Sequence, residues 1–382
     1  MMTLVKNSCL ISSSKSSPHD PFIDLSEGVD SSMSETNEIT GDFPVSLLDY
    51  DIPDSQIAQI PLENRDESKL LLCNRTNKTI EHHIFRELPD LLPPQSTIVL
   101  NTSKVFPAKV MGIKETEGKV EILFLREIES GKWRVIFSRR ARMPEGRKIF
   151  LFNNTITATL IERIDDGKDI LEIDKPELFR ELLNKSGLTP LPQYITNLNI
   201  DPERYQTVYA DNPGSAAAPT AGLHFTEKTM KKLNDSGFRF AKLELQIGLD
   251  TFSPIRTDNL KNHIIHTERG IIPPDCSDLI NETRDEKKSL MTVGTTSTRL
   301  LEYVACKFGK IQPFDGDVDL FITPGYEFKI VDHLLTNFHL PRTTLLALVG
   351  AFMGLEFMFE AYSKAMENNY RFYSFGDAML II

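Results

Sequence analysis

The chain has 382 residues, with 43 Lys and Arg against 54 Asp and Glu for a formal charge of −11, and 40% of it is hydrophobic. At roughly 150 residues per domain that length fits two domains, and the composition supplies a large core. The acidic balance excludes a protein held to nucleic acid by bulk charge, although a local basic face on an acidic protein is compatible with RNA binding.

Residues 1–42 are Ser-rich and poor in large apolar side chains. They bury too little surface to offset the entropy of ordering and are expected to form a disordered N-terminal extension. The apolar patch at the start is broken by Lys6, Asn7 and Ser8, which argues against a signal peptide. Folded sequence is expected from Phe43, and Met33 is a candidate alternative start. The longest apolar run, 345–355, falls far short of the ~20 residues that a bilayer needs. Cys9, Cys73, Cys276 and Cys306 contain no CxxC pair, so a zinc ribbon or thioredoxin-type centre is excluded, and reduced thiols in a cytoplasmic protein are expected.

From Thr97 to Asp174 short apolar runs recur at about ten-residue intervals, at 97–101, 108–113, 119–125, 132–137, 148–152, 155–160 and 170–173. Gly118, Gly131, Gly146 and the pair Asn153 and Asn154 punctuate them, which predicts a small antiparallel barrel or sandwich. After Pro176 the pattern changes. Residues 177–184 and 226–234 predict short helices, 241–250 alternates as a half-buried strand, and 289–293 is a short buried strand. Helices are predicted over 298–308 and from Pro341 to about Asn368. The fold class is therefore mixed α/β. A main α/β domain (43–95 and 175–382) carries an inserted antiparallel β-barrel domain (96–174).

Several segments carry possible chemistry. Residues 293–299 (Val-Gly-Thr-Thr-Ser-Thr-Arg) pass from a strand through a hydroxyl-rich turn into a helix, which suits an anionic ligand at the helix start; the alternative is an ordinary cap supplied by Ser297. Residues 214–226 are small and end at His224, before a helix that Thr226 would cap; a close-packed loop with a structural histidine is the alternative. His263, His266 and Glu268 suit acid–base or polar substrate contacts, with a solvated polar stretch as the alternative, and with no HExxH motif or nearby cysteine they make a weak metal set. Asn337 to Arg342 and Tyr373 to Asp377 each set polar groups beside a bend. Residues 134–148 carry six basic side chains against the single acidic Glu145, with Trp133 and Phe137 alongside, which suits either an RNA surface or a solvated face.

Together these segments resemble the S-adenosylmethionine:tRNA ribosyltransferase-isomerase family of queuosine biosynthesis. The matching stretches are 48–53, 57–61, 100–108, 190–195, 201–207, 217–226, 248–254, 293–297, 324–326, 336–341 and 370–379. The resemblance implies transfer and isomerisation of a ribosyl unit from S-adenosylmethionine onto 7-aminomethyl-7-deazaguanine at the tRNA wobble position, giving epoxyqueuosine with release of adenine and methionine. It implies no metal and no cofactor, since S-adenosylmethionine is consumed. It also implies a main α/β domain with an inserted barrel. A monomer is expected. The rival readings are an S-adenosylmethionine-dependent RNA methyltransferase, which normally has a Gly-rich loop after its first strand that 47–72 lacks, and a non-catalytic RNA-binding protein.

The chemistry so implied needs a base for a ribose 5′ proton beside the sulfonium, a proton donor for departing adenine and an unprotonated amine, for which histidine is best suited. The candidate catalytic residues are His224, His263, His266, Glu268 and His339. Thr220, Gly222, Gly248, Thr295, Thr296, Ser297 and Arg299 are the expected S-adenosylmethionine contacts, and Lys104, Arg139, Arg140 and Arg142 the expected tRNA contacts. Gln246 stands where the family usually has His, and its amide cannot serve as a base. Thr102, Gln193 and Asp250 also depart from the family pattern.

Overall fold

The computed structural model describes residues 43–137, 143–164, 169–197, 200–248, 251 and 253–382. The extension at 1–42, Arg139, Arg140, Arg142 and Asp250 lie outside the described residues.

Strands β1 (Lys69–Asn74) and β2 (Thr79–Ile84) are followed by the short helix α1 (Leu88–Leu91) and β3 (Thr97–Asn101). β4 (Ser103–Val105) leads into β5 (Lys109–Lys114), β6 (Lys119–Glu129), β7 (Lys132–Phe137), β8 (Lys148–Leu151), β9 (Ile156–Glu162) and β10 (Asp169–Ile173). After α2 (Pro176–Ser186), β11 (Asn212–Ser215) returns beside β4. Then come α3 (Glu227–Asp235), β12 (Arg239–Leu245), β13 (Glu268–Ile272), α4 (Pro274–Asp285), β14 (Leu290–Val293) and α5 (Gly294–Phe308). β15 (Phe314–Val318), β16 (His333–Asn337), α6 (Thr344–Met353), α7 (Leu355–Glu367) and β17 (Ala378–Ile381) complete the chain.

β5 to β10 close into a six-stranded antiparallel barrel, as the recurring short runs predict. Its strands alternate. In β7, Trp133, Val135 and Phe137 point into the barrel core while Arg134 and Ile136 are only half-buried. Trp133 packs on Phe124 and Phe179, so the aromatics beside the basic run serve the core and are not open to bases.

The other strands form a nine-stranded sheet in the order β15-β13-β12-β3-β14-β16-β17-β1-β2. Its centre, β12, β3, β14 and β16, is parallel. This corrects the expected domain boundary, because 97–101 belongs to the sheet and the barrel starts at Lys109. The reason is visible in its burial. All five residues of β3 are buried, as a parallel strand covered on both faces requires, whereas barrel strands alternate. Each Val, Leu or Ile so buried contributes about 1.5–3 kcal/mol.

Two helix expectations also change. α5 starts at Gly294, four residues early, because Gly294 takes φ +86° and turns the chain from β14 directly into the helix. The helix expected from Pro341 to Asn368 is two helices. Thr343 caps α6 by accepting from Leu346 N–H at 3.3 Å, and Gly354 at φ +87° leaves the helical region and bends α7 away by 109°. No single described helix is long and apolar enough to cross a membrane. Cys73 and Cys276 are buried free thiols.

Candidate functional site

In open α/β sheets ligands gather where parallel strands end and the chain turns out of the sheet. Here β3 ends at Asn101, β12 runs on into Gln246, Ile247 and Gly248, β14 turns into Gly294, and β16 ends at Asn337 before His339. A cleft lies over these ends. A first lobe of 330 Å³ has Thr295, Thr296, His263, His266 and Glu268 among apolar walls of Ile265, Phe321, Ile322 and Leu348. A second lobe of 210 Å³ lies between sheet and barrel, with Arg126 and Arg134 on the barrel side and Gln246, Gly248 and Arg269 on the other. Thr251, His266 and Glu268 line both lobes. A narrow branch of about 20 Å³ reaches Thr220, Gly294, Asn337 and His339. A groove of 490 Å³, holding Gln193, adjoins the first lobe at Ser253 and Pro254.

The seam between the lobes is set by a buried ion pair. Arg299 Nη1 lies 2.6 Å from Glu268 Oε2, with both side chains nearly closed to solvent. Glu268 Oε1 accepts from Thr251 Oγ1 at 2.7 Å and from Gly248 N–H at 3.2 Å. The carboxylate therefore ties β13 to the segment after β12. Arg299 is equally committed: its Nε donates to the Leu320 carbonyl and its Nη2 to those of His266 and Val318, at 2.8, 2.8 and 3.0 Å. Burial lowers its pKa and Glu268 opposes that shift. Arg299 thus shapes the cavity and holds the 266–268 segment; its donors are spent on the protein itself.

Thr295 and Thr296 face the cleft from the first turn of α5. Ser297 does not, because it is fully buried and its Oγ donates to the Val293 carbonyl at 2.9 Å. It is no cap either: the cap position is Val293, with no side-chain hydrogen bond. Thr220 and Gly248 line the branch and the second lobe. Gly222 faces none of these lobes, since a Cβ there would lie 2.0 Å from the Tyr209 hydroxyl, and its smallness serves packing.

The five acid–base candidates separate by burial. His224 is buried against Phe85, and its Nδ1 lies 2.8 Å from Ser68 Oγ. Its Nε2 lies 3.2 Å from Asn337 Nδ2, an amide nitrogen that also donates to the Tyr373 carbonyl, so Nε2 is the acceptor and the proton sits on Nδ1. Burial, helped by the charges of Arg371 and Arg65, lowers its pKa to about 3. His224 reaches the cleft only through Asn337. His339 lies in the branch with Nε2 2.7 Å from Thr336 Oγ1, and burial lowers its pKa to about 3 as well. His263 is half-buried against Phe321, and burial and then His266 lower its pKa. His266 and Glu268 alone among the five line both lobes. Among the described residues no three His, Cys, Asp or Glu side chains are grouped to hold a metal ion.

Lys104 sits on β4, half-buried and outside these lobes. Gln246 lies in the second lobe, and it fits because Gly214 lacks a side chain: a Cβ there would come within 2.8 Å of its Nε2. Thr102 is buried and donates to the Leu243 carbonyl at 3.2 Å. Sequence reasoning missed Thr251, Arg126 and the role of Asn337.

A family model described as queuosine biosynthesis protein matches residues 45–381. An S-adenosylmethionine:tRNA ribosyltransferase-isomerase of Carboxydothermus hydrogenoformans is 44% identical over 88% of this chain and 98% of its own length. That of Desulfitobacterium hafniense is 41% identical over the same shares. The crystal structure of S-adenosylmethionine tRNA ribosyltransferase from Thermotoga maritima superposes with a TM-score of 0.52 at 34% identity, covering 88% of this chain and all of that one.

Proposed function

The chain belongs to the queuosine biosynthesis protein family, and we propose that its cleft brings S-adenosylmethionine and a tRNA base together across the Thr251, His266 and Glu268 seam. The activity is that of an S-adenosylmethionine:tRNA ribosyltransferase-isomerase, a transferase of queuosine biosynthesis with S-adenosylmethionine and tRNA as substrates. In the finer reading the acceptor is 7-aminomethyl-7-deazaguanine at the wobble position and the product is epoxyqueuosine.

One observation carries the assignment: two cavities of different character share a wall of three polar residues. The first lobe, apolar with hydroxyls at one end, suits a nucleoside joined to an amino acid. The second, with two barrel arginines at its mouth, suits an RNA base and its phosphate. The base takes a proton from the ribose 5′ carbon, made acidic by the sulfonium. The bond to adenine breaks and adenine leaves with a proton. The ribose ring opens at its 4′ carbon–oxygen bond, and the substrate amine bonds to the 4′ carbon and loses a proton. The 5′ carbon bonds to the carbon that held adenine, and the oxygen there displaces methionine, which keeps the carbon–sulfur electrons, to close the epoxide. His266 is the proton-transfer residue in this reading, supported by its position on both lobes; His224 and His339 are held neutral by burial. His266→Ala is expected to lower adenine release by about 10²–10⁴-fold with little change in stability. Turnover within about twofold of the wild type would remove His266 from the mechanism, and release of S-adenosylhomocysteine without adenine would favour a methyltransferase.

The barrel is the tRNA-facing unit in the same reading, inserted into a catalytic unit that we take to be a cytoplasmic monomer without a resident cofactor. Arg134 supports it, because its buried Nε has no hydrogen-bond partner among the described residues. Arg134→Ala is expected to raise KM for tRNA about tenfold, leave kcat nearly unchanged and flatten the salt dependence. An unchanged KM for tRNA would move the RNA path elsewhere.

A further inference from the structure

Asn337 is 2% exposed, and its Oδ1 has no hydrogen-bond partner among the described residues. The orientation of this amide is fixed by its neighbours. Nδ2 lies 3.2 Å from the Tyr373 carbonyl, which can only accept, so the oxygen is on the other side. Asn337 lines the branch together with Gly294, Thr295 and Thr296. These three open the fifteen-residue α5, whose cap position, Val293, makes no side-chain hydrogen bond. The N–H groups of Thr295 and Thr296 precede the first intrahelical bonds, whereas Gly294 follows directly on Val293, which pairs with Leu335 in the sheet. The branch therefore sets an acceptor without a partner among the described residues beside N–H donors at the positive end of a helix dipole. A group that satisfies both carries an N–H donor next to an anion.

We propose that the branch holds the amino-acid end of S-adenosylmethionine, with the carboxylate on the Thr295 and Thr296 N–H groups and the ammonium on Asn337 Oδ1. This rests on the donor assignment made above for the first lobe. Thr295, Thr296 and Thr251 line both branch and lobe, so the methionyl chain passes between them. Adenine also carries a donor beside an acceptor, but it is uncharged and flat. The walls of Phe321, Ile322 and Leu348 suit it, whereas the helix dipole favours the carboxylate.

The test compares ligands that carry one end or the other. In the wild type, decarboxylated S-adenosylmethionine is expected to show a KM at least about tenfold above that of S-adenosylmethionine. Asn337→Leu is expected to raise the inhibition constant of L-methionine about tenfold or more and that of adenine less than about twofold. A raised constant for adenine with methionine unchanged would put the base in the branch and overturn the proposal, as would no change in either. Should Asn337→Leu fail to fold, equal KM values for the two donors on the wild type overturn it alone. Calorimetry with L-methionine on the wild type reads the branch without turnover. Absence of adenine release sinks the assigned reaction, while failure of L-methionine to bind sinks the branch assignment.

Discussion

Glu268→Ala is expected to cost about 3–5 kcal/mol of stability, lower Tm on the order of 10 °C, and reduce adenine release by more than about a hundredfold. The stability loss comes from Arg299, which would keep its charge in a buried site and lose the Glu268 carboxylate at 2.6 Å. The activity loss comes from the other oxygen. Without Oε1, Thr251 and the Gly248 N–H lose the acceptor that holds the segment after β12 against β13. The two effects separate in a double variant. Glu268→Gln with Arg299→Met removes the stranded charge and should regain part of the stability, but not the activity, because the seam stays unpinned. A Tm for Glu268→Ala within about 2 °C of the wild type would show that the pair does not close the site.

Stability should also fall steeply in mild acid, because of two buried histidines. His224 and His339 have folded pKa values lowered to about 3, against a reference value near 6.5 in the unfolded chain. Below pH 6.5 the unfolded chain therefore binds more protons than the folded one. The stability contributed by the neutral rings is complete above that pH and is lost as pH falls toward 3. By pH 5 each ring accounts for about 2 kcal/mol, or about 4 together, within a total of about 5–15. Urea midpoints measured from pH 7.5 to 5 read this directly. His224→Asn should have about half the pH slope of the wild type. An identical slope would mean that His224 titrates in the folded protein, reopening its claim to a catalytic proton. The same burial keeps both rings neutral and only weakly basic near neutral pH, although both belong to segments that look catalytic in the sequence.

Local pattern was enough for much of this protein. Period-two alternation and spaced turn residues marked the barrel strands, and Val293 through Thr298 marked a strand turning into a helix. The run of matched segments identified the family before any coordinates. These features are written by neighbours in the chain, so a sequence displays them. What the tertiary structure decided is who meets whom. It moved 97–101 from barrel to sheet, because burial on both faces depends on helices far along the chain. It turned Arg299 from a ligand contact into the partner of Glu268 and of carbonyls at 266, 318 and 320. It withdrew His224 behind Asn337, left His266 on the seam and exposed an unpaired oxygen on Asn337. Hydrogen-bond partners and desolvation arise from contacts between distant segments, and no local periodicity encodes them.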